Sequence, residues 1–478
     1  MKSMRKGIVH GFLWNTSGQT LIILINLVTN IILARILGPD IFGIFGIVLF
    51  FINIANVLVK GGLGGALIRL TKVDENDLKT VFTFNFLVSI FCYLLIFIFS
   101  PYIARFYDEP QIQKILVVSG LILFINVFQL LNRALLIREM KFKQIAIYQF
   151  SGIFISSVIS ISAAFSGFGI WSLIILYVGN QFFTTLQIAI FEPFFAKLGW
   201  SKKSFKNIYS FGVNTTLSNI LNTAFDNIYQ LILGKYFSIN QVGHFYQAKK
   251  LEKVPNTIIN SFIQNVLYSG LAKLQNDIPR FKNAYNKVLN TLTALICLMT
   301  IIVYIYGDKI ILLLYGGEWI DAAFYFQLLI IASFFFIQEK FNRLIFKVFD
   351  RTEKLLKLEI VKKIVQSFTI LIGVIYKDLN ILVGGLVFAY FIGFTLNYYY
   401  SKKIIKDYND INYLVKFIIT GIISTVLIML SNQLIGLNNY YEFLSIPFLV
   451  IIYFTILHFT KAFNIKHDFF IIRDIIKR

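Results

Sequence analysis

The sequence is poor in charge, cysteine, histidine and proline, and each scarcity removes a class of function. Only 14% of its 478 residues are charged, where a soluble domain has about a quarter. A water-soluble fold is therefore excluded. Cys92 and Cys297 lie alone in apolar stretches, so neither a disulfide framework nor a thiolate metal site is implied. His10, His244, His458 and His467 have no metal-ligand spacing, and no cofactor is expected. Seven prolines and no low-complexity tract leave no linker for a separate domain. Gly61-Gly62-Leu63-Gly64-Gly65 lacks the Lys-Ser/Thr of a phosphate-binding loop and reads as close helix packing. A glycosyltransferase or polymerase would carry a large extramembrane loop or an exposed carboxylate motif, and neither is visible. The expectation is a protein that is not an enzyme.

What is present is apolar. The chain is 57% hydrophobic and 17% aromatic, with a mean hydropathy of +0.72. Apolar segments recur near residues 10–34, 41–64, 80–104, 112–136, 145–166, 169–191, 209–233, 242–271, 284–306, 322–348, 356–376, 380–400, 413–434 and 443–462. These predict an all-α polytopic membrane protein of about fourteen spans. Lys2, Arg5 and Lys6 precede an apolar run that reaches Leu37 without a small-residue cleavage site, which reads as an uncleaved first span.

The net charge of +21 sits in short loops, not in a basic domain, so it reads as topology signal and anionic-lipid contact; nucleic acid is not an expected partner. With the N-terminus inside, the inner loops hold Arg69, Lys72 and Lys79; Arg138, Lys141 and Lys143; Lys197, Lys202, Lys203 and Lys206. They continue with Lys273, Arg280 and Lys282; Arg351, Lys354 and Lys357; Lys402, Lys403 and Lys406. The outer side holds little beyond Arg35, Arg105, Lys114, Lys235, Lys309 and Lys377. Both termini are expected in the cytoplasm, with the chain in a bacterial cell membrane.

The stretch from Tyr209 to Ala272 is too polar for two ordinary spans. Thr215, Asn219, Asn222, Asp226 and Tyr229 fall three or four residues apart and form one helical stripe. The next helix carries Lys249, Lys250, Glu252 and Lys253, then Pro255, Asn256, Asn260 and Gln264. Four charges at mid-bilayer cost roughly 10 kcal/mol on the insertion scale, more than the apolar residues return. Either the helix spans with its charged face toward a wet, protein-lined cavity, or residues 240–253 form a polar loop and the helix starts at Val254.

The chain also repeats. At an offset of 200 positions Gln19 pairs with Asn219, Asn26 with Asp226, Asn30 with Gln230, Arg35 with Lys235, Gly43 with Gly243 and Asn56 with Asn256. At 210, Leu131-Asn132-Arg133 faces Phe341-Asn342-Arg343, and Gln129 faces Glu339. Six spans separate the copies, which implies two bundles of equal orientation about a pseudo-two-fold along the membrane normal. The expected division is a first bundle over 1–200, a second over 201–406, and two extra spans with a tail over 407–478.

Trp14-Asn15-Thr16 and Leu33-Ala34-Arg35-Ile36-Leu37-Gly38-Pro39-Asp40-Ile41-Phe42-Gly43 resemble the start of bacterial polysaccharide (Wzx-type) flippases of the multidrug/oligosaccharidyl-lipid/polysaccharide exporter superfamily. Tyr246-Gln247-Ala248-Lys249-Lys250-Leu251 with Pro255, and Asn132-Arg133-Ala134-Leu135 followed by Arg138-Glu139-Met140-Lys141-Phe142, agree. Ser269 stands where relatives often carry a proline in the eighth span. The resemblance implies a transporter of two six-helix bundles that flips an undecaprenyl-pyrophosphate-linked oligosaccharide. Membrane lipids, a polysaccharide polymerase and chain-length machinery are the further expected partners.

Such a cargo needs cations for its phosphates, amides and aromatics for its sugars, and a lateral gap for its tail. Arg35, Lys60, Arg133, Lys249, Lys250, Lys253 and Arg343 are the candidate cations. Asn26, Asn30, Asn56, Asn219, Asn222, Asn256 and Gln264 are candidate amides. Arg35, Lys60, Arg133 and Arg343 read equally as side chains snorkelling to an interface. Asp226, Glu252 and Glu339 are candidates for H⁺ or Na⁺ coupling. Glu252 with Lys249, and Glu339 with Arg343, stand at helical spacing and read also as ion pairs; Asp226 has no cation at i±3 or i±4. A multidrug exporter of the same superfamily and a passive lipid scramblase are the competing readings.

Overall fold

The computed structural model describes residues 2–61, 63–70, 73–192, 197–405, 411–435 and 442–460. Lys72, Lys406 and everything after Thr460 lie outside the described residues, as do the side chains of Asn15, Thr16, Ser17, Arg69 and Thr215. No strand occurs among the described residues. The chain forms two compact units, Met1–Tyr246 and Gln247–Arg478.

The first unit opens with α1 (Lys2–Lys60), which is broken at Gly38 (φ 72°, ψ 171°). Only glycine tolerates that backbone readily, and Pro39 beside it lacks the N–H a continuous helix would use. A short α2 (Leu63–Arg69) precedes α3 (Glu75–Phe106). The start of α3 is fixed by a capping box, in which the Asp77 N–H donates to Asp74 at 2.7 Å and the Asp74 N–H to Asp77 at 3.2 Å. The span expected over 112–136 is one apolar stretch, Gln111–Arg138, with a single-residue turn at Leu121 between α4 (Gln111–Gly120) and α5 (Ile122–Arg138). Then come α6 (Phe142–Phe165), α7 (Ile170–Phe191), α8 (Lys202–Tyr236) and the start of α9 (Ile239–Phe262).

One contact within this unit is reciprocal. A Cβ on Gly43 would lie 2.1 Å from the Ile239 carbonyl oxygen, and a Cβ on Gly243 would lie 2.0 Å from that of Pro39. Pro39 and Ile239, like Gly43 and Gly243, stand 200 positions apart, so the repeat meets itself here across a local two-fold. Neither glycine has room for a side chain.

In the second unit α9 continues through Pro255 into one π-helical turn (Ile263–Leu267) and α10 (Tyr268–Ala272). The helical path is thus locally widened just before Ser269. After it come α11 (Ile278–Tyr315), α12 (Ala322–Val348), α13 (Thr352–Tyr376), α14 (Leu379–Lys402), α15 (Ile411–Ile435) and α16 (Ile446–Phe459). Phe281, Tyr285, Phe341, Leu344 and Ile345 are fully buried in the core of this unit. The last two helices pack on α11: the Tyr453 hydroxyl donates to the Ala294 carbonyl at 3.0 Å, and Lys309 pairs with Glu442. The offset of 210 reappears as element boundaries, since α5 ends at 138 and α12 at 348, while α6 begins at 142 and α13 at 352.

Nine helical stretches among the described residues are long and apolar enough to cross a membrane. The larger number expected from sequence counts the two arms of α1 separately and includes α16, which is shorter. It also includes α8, α9 and α13, whose internal charges and amides keep them out of that set. The protein is a multi-pass, all-α membrane protein.

Candidate functional site

Several polar contacts between helices of the first unit join neutral side chains. Asn56, buried, accepts from the Asn126 amide at 2.6 Å. The Tyr177 hydroxyl donates to Asn53 at 3.2 Å, and Gln181 of α7 donates to the buried Gln129 of α5. Asn26 turns back to the Ile22 carbonyl of its own helix at 2.9 Å. Asn30 is fully enclosed, and neither end of its amide has a partner among the described residues. The cations lie towards the helix ends: Arg35 and Lys60 are exposed, and Arg133 is half-buried. On α8, Asn219, Asn222 and Asp226 share one face and are all exposed. No ion pair joins Asp226 to a cation among the described residues.

The second unit is built differently. Helix α9 is continuous from Ile239, so Lys249, Lys250 and Lys253 lie within a helix and the loop reading of 240–253 is set aside. Lys249 and Lys250 are half-buried and Lys253 is exposed. Glu252 is buried, with Lys249 at 3.4 Å and hydrogen bonds donated by Asn256 and by Ser333 of α12. Asn256 also donates to Ser333 at 3.0 Å. Gln264 accepts from Lys347 at 2.8 Å.

A second charged cluster joins α12 to α13. Glu339 is fully buried, held by Arg343 at 3.1 Å and by Lys362 of α13 at 3.0 and 3.1 Å. Glu359 receives Arg343, with Lys362 at 3.4 Å and Lys363 at 3.8 Å. Lys340 lies over the Phe336 ring at 4.7 Å, adding a cation–π contact. The helical-spacing ion pairs read from sequence for Glu252 and Glu339 are therefore present, each extended by a partner on another helix.

Sequence reasoning missed Lys362, Glu359 and Lys340, and in the first unit Asn53, Tyr177 and Gln181. Glu359 and Lys362 stand three apart inside the predicted 356–376 span, and that spacing was the available signal. The neutral pairs join helices distant in sequence and leave no local pattern.

These units, built of long helices with internal polar groups, match known proteins. Residues 32–324, more than half of the chain, match the family described as polysaccharide biosynthesis protein. The chain belongs to this family. The succinoglycan biosynthesis transport protein ExoT of Rhizobium meliloti (strain 1021) is similar to this family member, at 22% identity over 306 residues, 64% of this chain and 62% of that protein. Lipopolysaccharide biosynthesis protein WzxC of Escherichia coli (strain K12) is 23% identical over 324 residues, 66% of this chain and 65% of that protein. The match spans less than two thirds of either relative's length. Among solved structures, the lipid II flippase MurJ in its inward closed conformation has a TM-score of 0.76 at 15% identity, covering 94% of this chain and 99% of that one. That likeness shows the fold. The resemblance read from the N-terminal motif is borne out.

Proposed function

We propose that the protein flips an undecaprenyl-pyrophosphate-linked oligosaccharide from the cytoplasmic to the outer leaflet of the bacterial cell membrane, by alternating access coupled to H⁺ or Na⁺. The observation that carries this reading is the run Lys249, Lys250 and Lys253 in the middle of the continuous helix α9. The run holds three lysines and one glutamate, and Glu252 pairs with Lys249 at 3.4 Å. A run of basic side chains within one helix suits a cargo that carries negative charge, because lysine ammonium groups form charge-assisted hydrogen bonds with a pyrophosphate. The exposed Asn219 and Asn222 offer both donors and acceptors to sugar hydroxyls. An apolar cavity of about 440 Å³ lined by Ile301, Phe334, Phe335 and Ile422 suits a short segment of a polyprenyl tail. Among the three carboxylates, Glu252 and Glu339 are held by cations, so Asp226 is the coupling group in this reading. A polymerase and chain-length machinery would take the product onward.

Gene deletion tests the proposal: a lipid-linked glycan should accumulate on the cytoplasmic leaflet. The wild-type gene should clear it, and a variant with Lys249→Gln, Lys250→Gln and Lys253→Gln, inserted to the same level, should not. An unchanged leaflet distribution after deletion would overturn it.

A further inference from the structure

We infer that the first unit carries a binding site for a neutral saccharide, in a cavity at the end of the unit that is poor in lysine and arginine. The inference rests on the glycan-transport reading above and extends it to a second, separate site. The cavity holds about 610 Å³ and is lined by Asp40, Glu109, Gln111, Phe168, Gly169 and Trp171, together with four isoleucines. That volume lies within the ~300–1,000 Å³ of small-molecule sites.

Four turns build the lining, and residues with positive φ shape three of them. Gly38 (φ 72°) breaks α1 just before Asp40, Asp108 (φ 57°) precedes Glu109, and Gly167 (φ 82°) and Gly169 (φ 53°) flank Phe168. The fourth joins α8 to α9 and contributes Ile239. Each turn connects the far ends of two helices, so segments from across the unit's sequence converge on one pocket. The opposite end of the unit holds the lysine-rich turns, where Lys141 pairs with Glu139 at 2.8 Å and Glu192 at 3.1 Å.

The lining chemistry selects the ligand. Two carboxylates and one carboxamide accept from, and donate to, adjacent hydroxyls. Phe168 (57% exposed) and Trp171 (36% exposed) add aromatic rings to the same lining. A few directed polar groups on an aromatic wall suit a ring with one apolar face and a hydroxylated rim. No lysine or arginine lines the cavity. Lys235, next to the Tyr107–Pro110 turn, donates to the Phe106 carbonyl at 2.7 Å and lies 3.9 Å from Asp108. No ion pair reaches Asp40 or Glu109 among the described residues. A uronic acid or a phosphate would thus face two carboxylates with no compensating cation, which rejects it by repulsion. Placed at an exit, such a site would hold the sugar of a cargo and repel its pyrophosphate.

The test is direct binding, read without transport. The full-length protein in lipid nanodiscs is titrated with D-glucose, D-galactose, N-acetyl-D-glucosamine and D-glucuronate, followed by saturation-transfer NMR. At least one neutral sugar should saturate at millimolar concentration, and D-glucuronate should bind at least about tenfold more weakly, a difference of about 1.4 kcal/mol. Trp171→Leu should weaken the neutral sugar about tenfold, Trp171→Phe should retain most binding, and Asp40→Asn with Glu109→Gln should let D-glucuronate in. Lys253→Gln should change none of these. Saturation by no neutral sugar overturns the inference, as does equal binding of D-glucuronate. So does wild-type binding by a Trp171→Leu protein whose unfolding temperature matches the wild type. Intact saccharide binding in a protein whose gene deletion leaves glycan distribution unchanged would strike the flippase reading alone.

Discussion

Gln129 and Glu339 occupy corresponding positions of the two repeat copies, 210 residues apart, yet they meet opposite surroundings. Gln129 accepts a neutral hydrogen bond from Gln181. Glu339 is gripped by Arg343 and Lys362. The position that corresponds to Lys362 in the first copy is Gly152 of α6, where a Cβ would come within 2.2 Å of the Thr184 hydroxyl on α7. In the second copy the equivalent helix pair, α13 and α14, makes its room from the other side. A Cβ on Gly393 of α14 would lie 2.6 Å from Lys362 Cδ and 2.8 Å from a Glu339 oxygen. The packing solution is shared, one glycine at the crossing of two helices, while the chemistry it encloses is exchanged. Losing one member of a neutral network leaves a polar group unpaired, at a cost of about 1–3 kcal/mol. An ionic one in a low-dielectric interior is stable only while every charge is paired.

The largest effect should therefore come from breaking the ionic cluster on one side. Lys362→Met leaves Glu339 sharing Arg343 with Glu359, and should cost on the order of 3–5 kcal/mol of stability. Chemical denaturation of the purified protein in detergent measures it. Adding Glu339→Gln, which copies the first unit's chemistry, should restore most of that loss. Equal stability of the single and double variants would show that the cluster is not organised around its charges.

Next in size is the glycine crossing. Gly152→Ala forces a methyl against the stiff side chain of Thr184 and toward the Asn180 carbonyl, 3.1 Å away, and should cost about 1–3 kcal/mol. Gly393→Ala meets the far reaches of Lys362 and Glu339, which turn aside more readily, so a smaller loss is expected. The reverse order in thermal unfolding would mean that the charged crossing is the tighter one. Below both stands Tyr177→Phe, which removes a single hydroxyl from the neutral network and should cost about 1 kcal/mol. A loss as large as that of Lys362→Met would erase the distinction between the units.

How much of this was legible in sequence depended on whether the signal was local. Apolar run length predicted 322–348 to the residue, because α12 has turns at both ends and no internal break. The one-residue turn at Leu121 inside the 112–136 span was not legible, since Gly120-Leu121 leaves the hydropathy of the run unchanged. The lysines of α9 stood out because four charges in a row of helix are improbable without a wet surface. Lys362 was missed because its partner Glu339 lies on another helix, and only tertiary structure brings them together. The repeat aligned Gln129 with Glu339, but alignment could not say that one would be neutral-paired and the other ionic.

The smallest structural effect, with a large functional one, is expected at Asp226. It is exposed on α8 in line with Asn219 and Asn222, and no cation is joined to it among the described residues. Nothing in the packing depends on its charge, so Asp226→Asn should change stability by no more than about 0.5 kcal/mol. If Asp226 takes up the driving ion, the same change should lower flipping under an imposed ion gradient several-fold, while passive exchange without a gradient stays as in the wild type. Lys362→Met alone should do the opposite, lowering stability and leaving gradient dependence intact. Normal gradient-driven flipping by the Asp226→Asn protein would remove this carboxylate from the coupling step. Coupling would then have to be sought at a group already paired, such as Glu252, where binding an ion means displacing Lys249.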